Sequence, residues 1–249
     1  MKKPNSANMK KFFLLMACTV LGLGSCTERP RPLEIDNALT AEEIAAGRFT
    51  PEVMWKMGRL GGSQLSPDGK WLVYTVTYYN LGENRGVTAL YLRDMASGEV
   101  RQLTDHTSNN TSPAWSADGR TLWFIAPMEG TYQLCRLALP APDATCGTVD
   151  LPKVVTSGDH DINAFTMAGG RIVAEVTTMR MATEQFEVDP ADGKLTQLSA
   201  VNKEIYDHIR LGTVEKRWVE TTDGKRMLTW VVLPPDFDPA KKYPTLLFC

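Results

Sequence analysis

Leu65-Ser66-Pro67-Asp68-Gly69-Lys70-Trp71-Leu72 is echoed one period later by Trp115-Ser116-Ala117-Asp118-Gly119-Arg120-Thr121-Leu122, and a weaker third copy runs Phe165-Thr166-Met167-Ala168-Gly169-Gly170-Arg171-Ile172. The turn glycines stand at 69, 119 and 169, a period of 50 residues. Asp-Gly supplies a positive φ at little cost and closes a tight hairpin. The segments after the first two turns, Trp71-Leu72-Val73-Tyr74-Thr75-Val76 and Leu122-Trp123-Phe124-Ile125, have the β-branched and aromatic composition of a buried strand. Thr88 to Arg93 and Tyr132 to Leu137 predict further strands.

A second element also recurs. Asp94-Met95-Ala96-Ser97-Gly98-Glu99-Val100-Arg101-Gln102-Leu103 matches Asp189-Pro190-Ala191-Asp192-Gly193-Lys194-Leu195-Thr196-Gln197-Leu198. Several short strands per repeat of roughly 40–50 residues predict a mainly β chain built as a β-propeller. Trp71, Trp115, Trp123 and Phe165 are read as packing between blades. About three units are present, fewer than the 4–8 blades of a closed ring. Residues near 140–155 are expected to join an early blade directly to the last one.

At the N-terminus, Lys2, Lys3, Lys10 and Lys11 precede an apolar stretch of 12 residues, Phe12 to Leu23. That is too short to span a bilayer comfortably and fits the apolar region of a secretory signal. It ends Leu23-Gly24-Ser25-Cys26, which resembles a bacterial lipobox: cleavage just before Cys26 and acylation of its thiol are expected. The chain then divides into a lipoprotein signal peptide (1–25), a tether with a short helix (26–48), a partial β-propeller (49–205) and the truncated start of a further domain (206–249). Thr40 and Glu43 have capping-box spacing with Gly47 as the stop, and Thr50-Pro51-Glu52 opens a second helix whose apolar side is Val53, Met54 and Met57.

With 27 Lys and Arg against 29 Asp and Glu, the net charge of −2 excludes the concentrated cationic character of a nucleic-acid binder. Cys135 and Cys146 are candidates for a disulfide in an oxidising compartment, two free thiols being the other reading. No cysteine or histidine spacing fits a zinc site, so no metal ligand is assigned. Asp105-His106 and Asp159-His160-Asp161 lie just upstream of the repeat hallmarks, and are read as solvated turns between blades, the aspartates capping local amides. His208 is placed in a polar connector. No serine lies in a Gly-x-Ser-x-Gly elbow, so no catalytic residue is assigned.

Beyond about residue 205 the repeat is lost. Glu215-Lys216-Arg217-Trp218-Val219-Glu220-Thr221-Thr222-Asp223-Gly224-Lys225 leads into Met227-Leu228-Thr229-Trp230-Val231-Val232-Leu233-Pro234-Pro235. Lys241 to Cys249 then begins what is expected to be a new buried strand. The copies at 65–69 and 115–119 resemble the propeller repeats of the TolB and prolyl oligopeptidase type, whose hallmark is a tryptophan followed by Ser-Pro-Asp-Gly. The segment 215–249, with its Asp-Gly hairpin, Pro-Pro turn, Tyr243-Pro244 pair and apolar strand, resembles the approach to the α/β-hydrolase domain of the prolyl oligopeptidase family, in its dipeptidyl and acylaminoacyl peptidase branch.

The resemblance implies a serine peptidase acting on short peptides, with a propeller that gates access and no metal or organic cofactor. In that family a histidine-activated serine attacks the carbonyl while backbone amides hold the oxyanion. The Gly-Gly-Pro loop, serine, aspartate and histidine that the family uses would lie beyond residue 249, so this polypeptide alone is expected to be inactive. The localisation expected is the bacterial cell envelope, anchored through Cys26. A non-catalytic periplasmic propeller lipoprotein that serves as a binding module accounts equally for residues 49–200, but not for 215–249.

Overall fold

The computed structural model describes residues 31–35, 37–139 and 152–248. Three four-stranded antiparallel sheets succeed one another along the chain. The first contains β1 (Arg59–Leu65), β2 (Trp71–Asn80), β3 (Arg85–Asp94) and β4 (Val100–Gln102). The second contains β5 (Thr111–Trp115), β6 (Thr121–Met128), β7 (Thr131–Ala138) and β8 (Lys153–Val154). The third contains β9 (Asp161–Ala168), β10 (Arg171–Thr178), β11 (Met181–Val188) and β12 (Leu195–Gln197). Each is a meander with its strands in chain order, which is the form of a propeller blade, and the three blades close no ring among the described residues. A separate hairpin comes next, β13 (Thr213–Glu220) with β14 (Arg226–Leu233), paired from Thr213↔Leu233 to Glu220↔Arg226.

The Ser-x-Asp-Gly repeat is the turn between the first and second strands of a blade. Ser66 Oγ donates to Asp68 Oδ1 at 2.6 Å and accepts from Trp71 N at 2.9 Å, while Asp68 Oδ1 accepts from Lys70 N at 3.1 Å. Ser116, Asp118, Arg120 and Thr121 repeat these contacts at 2.5, 3.0 and 3.0 Å. The serine hydroxyl beside each aspartate, more than any other contact, holds its carboxyl below the usual range. The third blade lacks both side chains and turns on Gly169 and Gly170, at φ 56° and 78°. Thr221 and Asp223 rebuild the serine–aspartate turn at the tip of the β13–β14 hairpin. The second recurring element is the turn between third and fourth strands, where Asp94 and Asp189 cap the amides of Ala96 and Ala191 at 2.7 and 2.8 Å.

Residues 140–151 lie between β7 and β8 of one blade, because Val154 pairs with Cys135 and Lys153 with Arg136. The expectation that residues near 140–155 join an early blade to the last is thereby corrected. A fourth strand as short and polar as Lys153-Val154 carries no periodic signal of its own.

The blades stack through two apolar layers. Val73, Leu90 and Leu92 of the first blade meet Trp115, Leu122, Phe124, Cys135 and Leu137 of the second. From the opposite face of the second blade, Trp123, Ile125 and Leu134 meet Ile162, Ile172, Ala174, Val176 and Val188 of the third. The middle sheet is buried on both faces, which is why five consecutive residues of β6, Leu122 to Ala126, are all buried. Trp115 also ties the blades by polar contact. Its indole Nε1 donates to Gln64 O at 3.1 Å and its backbone N to Gln64 Oε1 at 2.8 Å. Trp115 and Trp123 are buried, and Trp71 and Phe165 pack against these layers, so all four serve as blade packing.

The capping box at Thr40 and Glu43 opens α1 (Ala41–Ala46), which ends on left-handed Gly47 at φ 58°. Thr50 caps α2 (Pro51–Lys56). Its packing side is Trp55 rather than Met54 and Met57, which are exposed: the Trp55 ring meets Tyr79 edge-on at 5.1 Å, and the Arg59 guanidinium lies over both rings. A short helix, α3 (Lys203–His208), places His208 in the connector to β13. Residues 241–248 form no strand, and Leu246, Leu247 and Phe248 are 99%, 85% and 99% exposed. The expected buried strand is therefore not seen; a strand needs a ladder partner, and no described element offers one.

Candidate functional site: the connector face of blades two and three

Each blade returns to the next through a connector that leaves its fourth strand, and one hydroxyl recurs in all three. Thr104 Oγ1 accepts from Leu90 N at 2.9 Å, Thr156 Oγ1 from Leu134 N at 2.9 Å, and Ser199 Oγ from Gln185 N at 2.8 Å. The preceding residue donates its own amide to the same strand residue's carbonyl, at 2.8 Å for Leu103 and Val155 and 2.7 Å for Leu198. The hydroxyl thus extends the ladder by one bond where the fourth strand ends and the chain turns toward the next blade.

The second connector carries the densest polar network. Gln133 is buried, and its Nε2 reaches Thr131 Oγ1 at 2.9 Å, Gly158 O at 3.1 Å and His160 O at 3.0 Å. Its Oε1 accepts from Thr156 Oγ1 at 2.7 Å. Asp161 Oδ1 accepts from Tyr132 N at 2.8 Å. These bonds pin the connector to the start of β7. His160, flanked by the two aspartates, is only 8% exposed, and its Nε2 is buried without a hydrogen-bond partner. Burial holds its pKa below the ordinary histidine value, against the opposing pull of Asp161 and Asp159.

The β13–β14 hairpin seats on this face. Gly130, at φ 75°, lies so close beneath it that a Cβ would stand 2.8 Å from Leu228 Cδ2 and 3.3 Å from Trp230 Nε1. Lys216 Nζ pairs with Glu129 at 3.0 Å and reaches Asp159 at 4.0 Å. Between the two blades and the hairpin is a cleft of about 330 Å³, lined among others by Gly130, Asp159, His160, Asp161, Arg180 and Trp230. It offers carboxylates, a guanidinium and an indole ring, the means of holding a polar ligand by orientation and charge.

The histidines at 106 and 160 do occupy corresponding connectors, but solvated turns is the wrong description. His106 is half-buried, its Nε2 3.2 Å from the Tyr91 hydroxyl and its ring edge-on to Tyr78. Burial lowers its pKa too, and raises that of Tyr91 to about 12. Asp105 does cap locally, accepting from Thr107 N at 3.1 Å. Of the sequence-derived site residues, Cys26 and Cys146 lie outside the described residues. Cys135 is buried in the first interblade layer, where desolvation pushes its thiol up to about 11. Among the described residues no group of three or more His, Cys, Asp or Glu side chains is placed to hold a metal ion. A recurring signal not recognised from the sequence is the Leu/Val-Thr/Ser pair after each fourth strand, at 103–104, 155–156 and 198–199.

No protein-family profile matches the chain. Among curated proteins it is 32% identical over 187 residues to dipeptidyl-peptidase 5 of Porphyromonas gingivalis, covering 75% of this chain and 26% of that protein. It is 30% identical over 241 residues to dipeptidyl-peptidase 5 of Porphyromonas endodontalis, covering 74% and 33%. The chain thus spans about a quarter to a third of the relatives it matches. The second alignment is longer than the share of this chain it uses, so that relative carries residues in the matched region that this chain lacks. Among solved structures, an acylaminoacyl peptidase in complex with Z-Gly-Gly-Phe-chloromethyl ketone superposes with TM-score 0.53 at 18% identity, covering 71% of this chain and 25% of that one. The AtxE2 isopeptidase superposes with TM-score 0.51 at 15% identity, covering 83% and 29%.

Proposed function

We propose that this chain is the N-terminal part of a prolyl oligopeptidase-family peptidase, on the strength of its dipeptidyl-peptidase 5 relatives and its propeller-type fold, and that its parent is an exported, lipid-anchored serine peptidase of dipeptidyl or acylaminoacyl type. The propeller part stands beside the route that short peptides take to the catalytic domain. The observation that carries the reading is the β13–β14 hairpin: it belongs to no blade, seats on the connector face, and leads through Pro234-Pro235 into an apolar run with no ladder partner among the described residues. Such a run is what a hydrolase sheet would receive as a strand.

The chemistry proposed for the parent is acyl transfer, with serine as nucleophile, histidine as its base and backbone amides at the oxyanion. No Gly-x-Ser-x-Gly elbow occurs in the 249 residues, so the chain alone supplies no such nucleophile. Purified, it is expected to leave dipeptidyl and acyl-peptide chromogenic substrates intact, and turnover that persists through purification overturns this. The coding sequence after codon 249 tests the parent: a Gly-Gly-Pro loop and then a Gly-x-Ser-x-Gly elbow support it, and a stop codon favours the binding-module reading. Mass spectrometry tests the anchor, since an unmodified Cys26 with residues 1–25 retained rules it out.

A further inference from the structure

Among the described residues the outer faces of the first and third blades meet no neighbouring blade, and they are made differently from each other and from the middle blade. On the third blade, alternate residues of β9, β10 and β11 on the side away from the core include Asn163, Glu175, Thr177, Thr183, Gln185 and Glu187, joined by Arg171. Their polar groups bond to one another across the face. Asn163 Nδ2 donates to Thr177 Oγ1 at 2.6 Å, and the Thr177 and Thr183 hydroxyls lie 2.7 Å apart. Arg171 grips Glu187 with two bonds of 2.7 and 2.9 Å. Glu175 stands opposite Gln185, both exposed.

The first blade's outer face is apolar, and a stretch of the chain is tied along one end of it. Val76, Val87 and Ala89 are buried on it, beside the rings of Tyr74, Tyr78 and Tyr91, the first and last of which stack at 5.8 Å. Leu33 is 4% exposed, and its amide donates to His106 O at 2.8 Å. Asn80 Nδ2 donates to Glu34 O at 2.9 Å and Arg85 Nη1 to Arg31 O at 3.0 Å, which straps residues 31–34 across the β2–β3 end of the blade.

We infer that the three-blade arc is self-terminated: a strap closes one end, a polar, solvated face forms the other, and the chain stays an open monomer that recruits neither a further blade nor a second copy. Stacked repeats need such end units to remain soluble. The alternative, two copies closing a six-bladed ring, would press the tyrosine-rich face of one against the polar face of the other. That would bury the Glu175 carboxylate against aromatic rings, at the cost of removing a charge from water. The inference holds whether or not the parent is a peptidase.

Sedimentation of the full chain over a wide concentration range tests it. A single species of monomer mass is expected, and a concentration-dependent dimer overturns the inference. Two variants locate the ends. Replacing Glu175 and Gln185 by leucine (E175L with Q185L) makes the third blade's face apolar, and self-association is expected to appear; a variant that stays monomeric shows that the polar face is not what keeps copies apart. Asn80→Ala with Arg85→Ala releases the strap without touching the core, and a several-fold rise in binding of a hydrophobic dye is expected, with circular dichroism unchanged. Unaltered dye binding with the fold retained would show that the strap closes no apolar face, and self-termination at that end would fall.

Discussion

Trp115 explains why tryptophan heads the repeat: it fills the layer between two blades while its indole N–H reaches Gln64 O of the neighbouring blade. Trp115→Phe keeps most of the apolar area and loses that bond, so urea unfolding is expected to show a loss of about 0.5–1.5 kcal/mol. His160 makes a different prediction. Its folded pKa lies below the ordinary value, so the unfolded chain binds the proton more readily. Its contribution to stability is complete above the unfolded value of about 6.5 and is lost as pH falls below it. Thermal melts taken downward from neutral pH should therefore decline less steeply for His160→Gln than for the unaltered chain. The decline that remains includes His106, which is shifted the same way. Parallel curves for the two proteins would show that His160 does not titrate across unfolding.

At the scale of elements, the turns were legible and the short fourth strands were not. Asp68-Gly69, Asp118-Gly119 and Asp223-Gly224 act through contacts made within five residues, so their meaning is local. β4, β8 and β12 span three, two and three residues, and exist only because β3, β7 and β11 offer an edge. The candidate site was least legible of all. His160 is buried because Gln133, far back in the chain, holds its carbonyl, and no local pattern marks that pairing. The same holds for Gly130, whose proximity to Trp230 joins segments 100 residues apart. Gly130→Val is therefore expected to act on the hairpin. The left-handed φ alone costs about 1–3 kcal/mol, and the added carbons would push Leu228 and Trp230 away. Hydrogen exchange should speed up in β13 and β14 while β2 and β3 keep their protection; uniform loss across all sheets would mean that the hairpin is not a separate element.

Among the described residues the three blades are stacked so that the middle one has two apolar faces packed on neighbouring blades, and stability in such a stack is carried by neighbour interfaces rather than by one central core. The two interfaces should then fail differently. Phe124 is fully buried in the first layer, between the strapped first blade and the middle one. Phe124→Ala is expected to cost about 3–5 kcal/mol. The first blade's other support comes from its strap and α2, so that loss should bring down blades one and two together. Ile172 belongs to the second layer, and the third blade's other face is solvated, so Ile172→Ala, at about 2–5 kcal/mol, removes most of what holds that blade. Its urea transition should split in two, the third blade unfolding first and uncovering Trp123 while Trp115, in the other layer, stays packed. A single transition in the Ile172 variant, coincident by fluorescence and circular dichroism, would mean that the three blades are coupled more tightly than nearest-neighbour packing allows.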